Sequence, residues 1–222
     1  MSISAIITGA SGMVGEGVLL ECLADARVSR VLAVTRKPSG VRHPKLIELI
    51  HADFDDLTPI QAQLAGYDAC FFCLGVSSVG MREADYKRVT YDLTTNFGRT
   101  LARLNPDMTF CYVTGAGTDA TEHGKSMWAR VKGATENELL RLFRRGVMLR
   151  PGMMRATTGQ KNLKGWYKAI AWIYPIGRAL APGSFCTLQD VGQAMINAAT
   201  VGSPKQVLEV RDIVALAASP RG

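Results

Sequence analysis

Glycines at a regular spacing of three follow the first apolar run of the chain. The run ends at Thr8, and Gly9, Gly12 and Gly15 come before helix-forming residues resume. Gly9 permits a tight turn, Gly12 lets the backbone approach a pyrophosphate, and Gly15 lets a helix pack closely on the strand. The free N–H groups at the start of that helix, together with the helix dipole, would hold phosphate groups. This stretch therefore predicts the binding of a diphosphate.

The spacing G-x-x-G-x-x-G differs from the G-x-G-x-x-G of many dehydrogenases. Glycines this close together also occur in ordinary turns between a strand and a helix. The order of strand, loop and helix in this part of the chain favours the phosphate site, because a first βαβ unit belongs there. The residues predicted to bind the diphosphate are Gly9, Ser11, Gly12, Met13, Val14 and Gly15.

Two cations, Arg36 and Lys37, follow the second predicted strand at residues 30–35. Proteins that bind NAD usually present Asp or Glu to the ribose 2′-hydroxyl at this place, about twenty residues beyond the glycine loop. A carboxylate would repel the additional phosphate of NADP, whereas the fork of Arg36 can bind that phosphate. The sequence therefore favours NADP(H), with NAD as the alternative cofactor. The alternative role for the two cations is to solvate a loop.

The ends of the third and fourth predicted strands supply further candidates for cofactor contact. Asp53 and Phe54 follow the strand at residues 45–51 and are predicted to contact the adenine, although Asp53 is equally suited to cap the turn that follows. The fourth strand, residues 68–74, ends over the crevice near the nicotinamide ribose in a doubly wound sheet. The residues predicted to form the cofactor wall there are Leu74, Gly75 and Val76.

Short apolar runs alternate with segments of helical periodicity along the 222 residues. The alternation predicts an α/β protein with a doubly wound parallel sheet, a Rossmann fold, formed by one domain over residues 1–222. It loosens in residues 153–184, which are predicted to be a small substrate-side flap and are called the flap below. The predicted strands are 3–8, 30–35, 45–51, 68–74, 108–114, 146–150 and 207–210. The predicted helices are 13–26, 86–104, 126–143 and 188–200, the last capped by Thr187.

The motifs that follow successive strands resemble those of the short-chain dehydrogenase/reductase superfamily. They are the glycine loop, Leu74-Gly75, Thr114-Gly115-Ala116-Gly117, Val131-Lys132-Gly133 and Leu149-Arg150-Pro151-Gly152. In this order they are most similar to the atypical branch, the compact epimerase-like proteins related to the Tat-interacting-protein oxidoreductases, over residues 3–212. The resemblance implies a nicotinamide cofactor and cofactor contacts at Lys132, Pro151 and Gly152.

The same resemblance implies a Tyr-x-x-x-Lys pair on the helix after the fifth strand. Residues four apart share a helix face, so the ammonium lowers the pKa of the phenol and also holds the nicotinamide ribose. This chain has Trp128 and Lys132 instead, and an indole N–H does not ionise usefully near neutral pH. Lys132 is carried over as a ribose ligand. Thr114 is the candidate for a polarising hydroxyl in place of the family's serine, and an ordinary strand-end role is its alternative. The other candidate proton donors are Ser126, His123, Tyr86 and Tyr167.

The composition argues against several other classes of protein. Five cysteines, an odd number, and an N-terminus that leads directly into a strand predict free thiols in a reducing compartment, taken here as the cytoplasm. The longest apolar tract, residues 166–176, is about half a membrane span and contains Lys168 and Pro175, so no transmembrane segment is predicted. Its apolar surface is consistent with a homodimer. The three histidines lack metal-ligand spacing, so no metal is predicted.

The net charge of +7 is concentrated in residues 125–178, which carry twelve Lys or Arg and two acids. A phosphorylated cofactor and ordinary solvated surface explain this segment more simply than nucleic acid, since no nucleic-acid motif accompanies it. We expect an NADP(H)-dependent oxidoreductase or epimerase-like enzyme that acts on a small carbonyl or hydroxyl substrate. The alternative is a regulator or scaffold that binds NADP(H) without catalysis, for which the replaced tyrosine argues.

Overall fold

The apolar runs of the chain form short strands, several of them buried on both faces. The computed structural model describes residues 2–162, 174, 177 and 180–220. The strands are β1 (Ile3–Thr8), β2 (Val28–Thr35), β3 (Leu46–Ile50), β4 (Ala69–Phe72), β5 (Thr109–Val113), β6 (Arg145–Arg150), β7 (Met153–Arg155), β8 (Phe185–Thr187) and β9 (Val207–Glu209). The helices are α1 (Met13–Ala24), α2 (Glu83–Lys87), α3 (Leu93–Leu104), α4 (Met127–Leu142), α5 (Leu188–Thr200) and α6 (Val210–Ala217). Turns of 3₁₀ helix occupy Thr58–Leu64 and Pro182–Ser184, and a π-helical turn occupies Arg88–Asp92.

Seven strands form one parallel sheet in the order β3-β2-β1-β4-β5-β6-β9. Ile6 of β1 lies opposite Leu32 of β2 on one side and opposite Cys70 of β4 on the other. The direction in which the chain adds strands reverses between β1 and β4. In open α/β sheets, ligands bind in the crevice at the carboxyl ends of the strands at such a switch point. The predicted doubly wound parallel sheet is therefore confirmed.

Helices cover both faces of the sheet, because side chains alternate between the faces along each strand. On one face, α1 and α5 pack Leu19 and Val191 into the same core as Ile7 of β1. On the other face, α3 packs Phe97 into a second core with Ile6. The two cores together hold α1 and α4 on opposite sides of the strands whose ends form the crevice.

Cys70 and Cys73 belong to these two different cores. Cys70 is buried beneath α3, whereas Cys73 packs against the core on the α1 side. Both are free thiols. Residues three apart on an extended chain point to opposite faces of the sheet, so the two sulfur atoms lie on opposite sides of it.

The structure also contains elements that the sequence pattern did not predict. β7 and β8 form a separate two-stranded parallel sheet, and α6 directly follows β9. Strands of three residues are too short to show a period, and α6 has little more than two turns. The predicted helix 86–104 begins earlier, at Glu83, and contains the π-helical turn. Of the flap, residues 163–173, 175–176 and 178–179 lie outside the described residues.

The cap predicted for the helix at residues 188–200 is confirmed. The hydroxyl of Thr187 accepts the N–H of Asp190 at 2.9 Å, and the Asp190 carboxylate accepts the N–H of Thr187 at 2.7 Å. This reciprocal pair satisfies donors at a helix start that have no partner within the helix.

We expect Asn105 to stabilise the entry of the chain into β4. Its Nδ2 donates to the Leu64 carbonyl at 2.9 Å, and its Oδ1 accepts the N–H groups of Gly66 and Tyr67 at 2.7 and 3.1 Å. Asn105→Ala leaves these groups unpaired, so the free energy of unfolding in urea should fall by about 2–4 kcal/mol. The control Asn162→Ala, at an exposed side chain, should change it by less than about 0.5 kcal/mol. Equal losses in the two variants would contradict this assignment.

Candidate functional site

The glycine loop is pressed between the end of β4 and the start of α1. Gly9 has a φ of +71°, and a Cβ on it would lie 2.8 Å from the main chain of Cys73 and Leu74. A Cβ on Gly15 would lie 2.1 Å from the Gly9 carbonyl oxygen. Gly12 is exposed, and its N–H donates to the same oxygen at 2.8 Å. The loop therefore forms a cradle without side chains over the first turn of α1, where N–H groups have no partner within the helix.

A cavity of about 160 Å³ opens beside this loop at the carboxyl ends of β1, β2 and β4. The predicted cofactor residues that line it are Gly9, Ser11, Arg36, Phe54, Leu74, Gly75 and Val76. The lining residues that were not predicted are Val34, Thr35, Ala52, Val89 and Leu93. Val89 and Leu93 belong to an apolar helix stripe, and helical spacing alone does not separate cavity wall from core.

Arg36 and Lys37 are both exposed but differ in position. Arg36 lines the cavity, whereas Lys37 does not. The carbonyl oxygen of Lys37 accepts the hydroxyl of Thr35 at 2.8 Å, which fixes the turn after β2. Arg36 is thus the cation that this turn directs to the cavity.

The neighbouring residues Asp53 and Phe54 also have different environments in the structure. Asp53 is exposed, and its Oδ1 accepts the N–H groups of Asp55 and Asp56 at 2.9 and 3.3 Å. This is the turn-capping arrangement that the sequence left open as the alternative to adenine contact. Phe54 is buried and lines the cavity, and its ring stacks on Phe97 at 5.5 Å between centroids.

The side chain of Lys132, half-buried on α4, reaches the end of β5. Its Nζ donates to the carbonyl oxygens of Thr114 and Val113 at 3.0 and 3.4 Å and lies 5.8 Å from the centre of the Tyr112 ring. Burial lowers the pKa of Lys132 to about 8, and the carboxylate of Glu136 acts in the opposite direction. A lysine in this state changes its charge close to neutral pH.

The hydroxyl of Thr114 contacts a buried carboxylate. Thr114 Oγ1 donates to Glu136 Oε1 at 2.7 Å, and the Leu149 carbonyl lies within reach at 3.1 Å. A hydroxyl has a single proton to donate. The polarising role predicted for Thr114 therefore requires this hydroxyl to turn away from Glu136, whereas the strand-end role agrees with the observed bonds.

Trp128 covers the loop that follows β5. Its ring atoms lie 3.8 and 3.7 Å from where a Cβ would stand on Gly115 and Gly117. Its helix, α4, is tied to this loop because the Asp119 N–H donates to the Ala129 carbonyl at 3.1 Å. Trp128 thus lies one helical turn from Lys132 at the same edge of the sheet. Of the other candidate proton donors, Ser126 and His123 are exposed, Tyr86 is buried, and Tyr167 lies outside the described residues.

The motif that follows β6 joins the cofactor edge to the flap. The Pro151 carbonyl accepts the N–H of Ala116 at 2.9 Å, and a Cβ on Gly152 would lie 2.3 Å from the Ser184 carbonyl oxygen. Pro151 and Gly152 therefore lie beside the loop after β5 and against the end of the flap. The structure brings them to the same edge of the sheet as the glycine loop.

The first part of the flap is bound to α1. Gln160 Nε2 donates to the Met13 carbonyl at 2.7 Å, and the buried carboxylate of Glu16 accepts the main-chain N–H groups of Lys161 and Asn162, each at 2.8 Å. Residues 160–162 of the flap thus lie beside the glycine loop.

In the part of the chain that the structure describes, no cluster of His, Cys, Asp and Glu could hold a metal ion. None of the described helices is long and apolar enough to cross a membrane. The apolar tract at residues 166–176, on which the homodimer prediction rested, falls almost entirely outside these residues. The homodimer stays a prediction.

The fold and the glycine loop define a nucleotide-binding protein of the short-chain dehydrogenase/reductase type. The chain belongs to the NAD dependent epimerase/dehydratase family, whose model matches residues 5–123, more than half of its length. The resemblance to an atypical, epimerase-like member of the superfamily is thereby confirmed.

Relatives match over most of the chain. Protein FMP52, mitochondrial, of Eremothecium gossypii is 26% identical over 227 residues, which cover 96% of both proteins. Protein FMP52-1, mitochondrial, of Scheffersomyces stipitis is 24% identical over 154 residues, 68% of this chain and 67% of that protein. The crystal structure of the Bordetella bronchiseptica enzyme WbmF in complex with NAD+ matches with a TM-score of 0.66 at 16% identity, covering 96% of this chain and 77% of that one.

The names of these relatives contradict the cytoplasmic location predicted from the sequence, and that prediction is wrong. It rested on free thiols and on an N-terminus that leads directly into a strand. Free thiols indicate a reducing environment, but they do not distinguish one reducing compartment from another.

Gly12→Ala should separate folding from nucleotide binding. The φ of Gly12 is −96°, and a Cβ would lie 3.3 Å from the Gly9 carbonyl oxygen, so the folded chain accepts it with a small shift. The thermal midpoint should change by less than about 3 °C. The methyl group would block the approach of a diphosphate, so the affinity for NADPH, measured by fluorescence, should fall at least about 10-fold.

Gly15→Ala is the contrasting variant, since its clash with the main chain should lower both the thermal midpoint and the affinity. Wild-type affinity in Gly12→Ala would refute a diphosphate at this loop.

Proposed function

We propose that this protein is an NADP(H)-dependent oxidoreductase or epimerase-like enzyme that acts on a small carbonyl or hydroxyl substrate. One observation carries the proposal: the glycine cradle, Arg36 and the half-buried ammonium of Lys132 all lie at the carboxyl ends of strands of one parallel sheet. Membership of the NAD dependent epimerase/dehydratase family supports a nicotinamide cofactor, as does a solved neighbour whose title names bound NAD+.

The residues at the crevice fit a dinucleotide. The cradle would hold the diphosphate through N–H groups of the first turn of α1, because no Cβ fills the space and the helix dipole favours an anion. Phe54 and Leu74 would border the adenine in the cavity. The guanidinium of Arg36 would bind the 2′-phosphate that distinguishes NADP from NAD. A nicotinamide bound here would supply hydride transfer.

Lys132 would hold the nicotinamide ribose. An ammonium has three N–H donors, and the Val113 and Thr114 carbonyls take two of them. The third can donate to a ribose hydroxyl. The carbonyls fix the direction of the side chain, so Lys132 acts as an orienting cation as well as a charge.

Trp128, one helical turn before Lys132, favours a second candidate function. The indole N–H of Trp128 can donate a hydrogen bond to a substrate oxygen, but it does not give up its proton near neutral pH. A chain that binds NADP(H) with its lysine and glycine loop, and lacks this acid, also suits a regulator or scaffold controlled by cofactor occupancy. The two candidates share the cofactor site and differ in turnover.

Titration of the purified protein with NADPH, NADP+ and NADH, followed by fluorescence and calorimetry, tests the shared site. Saturable binding of NADPH well below millimolar concentration is the expected result. A protein that binds none of these nucleotides at millimolar concentration would overturn both candidates, because each depends on the cofactor.

Arg36→Asp should reverse the preference between the two cofactors. The new carboxylate would repel the 2′-phosphate and can bond the ribose 2′-hydroxyl, so the affinity for NADP+ should fall at least about 10-fold while that for NAD+ holds or rises. Arg42→Asp is the matched control, since Arg42 is also exposed and the change in charge is identical. A preference that stays unchanged in Arg36→Asp, or that shifts equally in Arg42→Asp, would refute the role of Arg36.

Trp128→Tyr should decide between enzyme and regulator. A tyrosine here would stand one helical turn from the ammonium of Lys132, which favours the ionised phenol. NADPH oxidation is measured with a panel of aldehydes and ketones, with Trp128→Phe as the control that lacks the hydroxyl. Turnover by the wild type supports the enzyme. Turnover gained only in Trp128→Tyr supports a regulator whose site is otherwise intact, and no turnover in any variant contradicts the enzyme.

A further inference from the structure

A single carboxylate is buried beside the proposed cofactor lysine. Glu136 of α4 is 1% exposed and lies one helical turn after Lys132. Removing a charged carboxylate from water is costly unless cations and hydrogen-bond donors surround it. A glutamate at such a position therefore needs cations and hydrogen-bond donors around its carboxylate. The residues that supply them show which elements of the fold the glutamate joins.

The partners of Glu136 come from the ends of two neighbouring strands. Arg150, the last residue of β6, donates from Nη2 at 2.5 Å and from Nε at 3.1 and 3.2 Å. Thr114, directly after β5, donates its hydroxyl at 2.7 Å. Arg150 is held from its other side by Glu209 at 3.2 Å. Glu136 thus joins α4 to the ends of β5, β6 and β9.

These contacts form a closed loop of which Lys132 is a member. The Thr114 hydroxyl is bound to Glu136, while the Thr114 main-chain carbonyl accepts the ammonium of Lys132 at 3.0 Å. One turn of α4 connects Lys132 back to Glu136. A shift of the carboxylate would therefore displace the carbonyl that directs the ammonium.

We propose that Glu136 is a positioning residue for the cofactor-binding lysine, fixing the strand ends that orient the Lys132 ammonium and placing a carboxylate one helical turn from it. This inference rests on the proposed function, because it assigns a partner to a residue of that cofactor site. Glu136 itself does not touch the cofactor.

The charges around Lys132 predict in which direction its pKa changes when Glu136 is replaced, which a purely structural role for Glu136 would not. Among the described residues, Tyr112 also faces the Lys132 ammonium, and burial raises the pKa of Tyr112 well above its usual range, so its phenol stays neutral. Arg150 contacts the far partner of the pair, Glu136. Glu136 raises the pKa of Lys132 and burial lowers it. Glu136→Gln removes the charge but keeps the shape. Lys132 should then lose its proton at lower pH.

The experiment measures NADPH affinity between about pH 6 and pH 9 in the wild type, Glu136→Gln and Glu138→Gln. Wild-type affinity should fall as the pH rises through about 8, because Lys132 becomes neutral. In Glu136→Gln this fall should move at least about one pH unit lower, which reduces the affinity at pH 8 at least about 5-fold. Glu138 is the matched control, since it lies on the same helix and binds Arg99 and Arg141. Its variant should follow the wild-type curve.

A double-mutant cycle separates positioning from general destabilisation. In the Lys132→Ala background, Glu136→Gln should have little further effect on NADPH affinity, because the group that it positions is gone. An undiminished effect in that background, or a Glu136→Gln curve that coincides with the wild type, would overturn the inference while leaving the proposed function intact. If the wild type binds no NADPH, the proposed function fails and the inference with it.

A second variant covers the case in which Glu136→Gln does not fold. Thr114→Val removes only the hydroxyl that links Glu136 to β5, with little change in shape. It should lower NADPH affinity at neutral pH in the presence of Lys132 and much less in the Lys132→Ala background. Equal effects in the two backgrounds would again overturn the inference.

Discussion

The contact between the Gly15 backbone and the Gly9 carbonyl oxygen is the constraint on which the site depends. There is no room for a side chain between them, so the first turn of α1 lies directly under the loop that leaves β1. The same loop rests on the end of β4, where the order of the sheet reverses. Any parallel sheet with this strand order has a crevice at the switch point. In this chain the first turn of α1 places its unpaired N–H donors at that crevice.

The other half of the site is organised by buried charge. Lys132 and Glu136 lie one turn apart on α4, and Arg150 is the last residue of β6. A carboxylate buried as deeply as Glu136 is stable only with such cations beside it. Together the three residues place alternating charges across the ends of β5 and β6, with Thr114 between them. The cradle offers backbone N–H groups and the positive end of a helix dipole, whereas this cluster presents an oriented cation. The two halves meet over β4, the strand between them.

The sequence predicted the parts of this arrangement that depend on local pattern. Alternation of apolar runs and helical stripes gave the sheet and most of its helices, and the glycine spacing gave the cradle. The sequence pattern could not predict contacts between segments that are distant along the chain. Glu136 was visible only as one of two acids in a basic segment, and its pairing with Arg150 depends on how α4 lies across β6. Whether Asp53 contacts the adenine or caps a turn likewise depends on where its carboxylate points, and the sequence does not show that direction.

The hydrogen bonds from Gln160, and those accepted by Glu16, tie the beginning of the flap to the helix that underlies the cradle. The first turns of α1 therefore carry both the cradle and residues 160–162 of the chain. A displacement of the first turn of α1 by an incoming anion would be transmitted to the chain at Lys161 without passing through the sheet. Binding at the cradle and the position of residues 160–162 would in this way be coupled through α1.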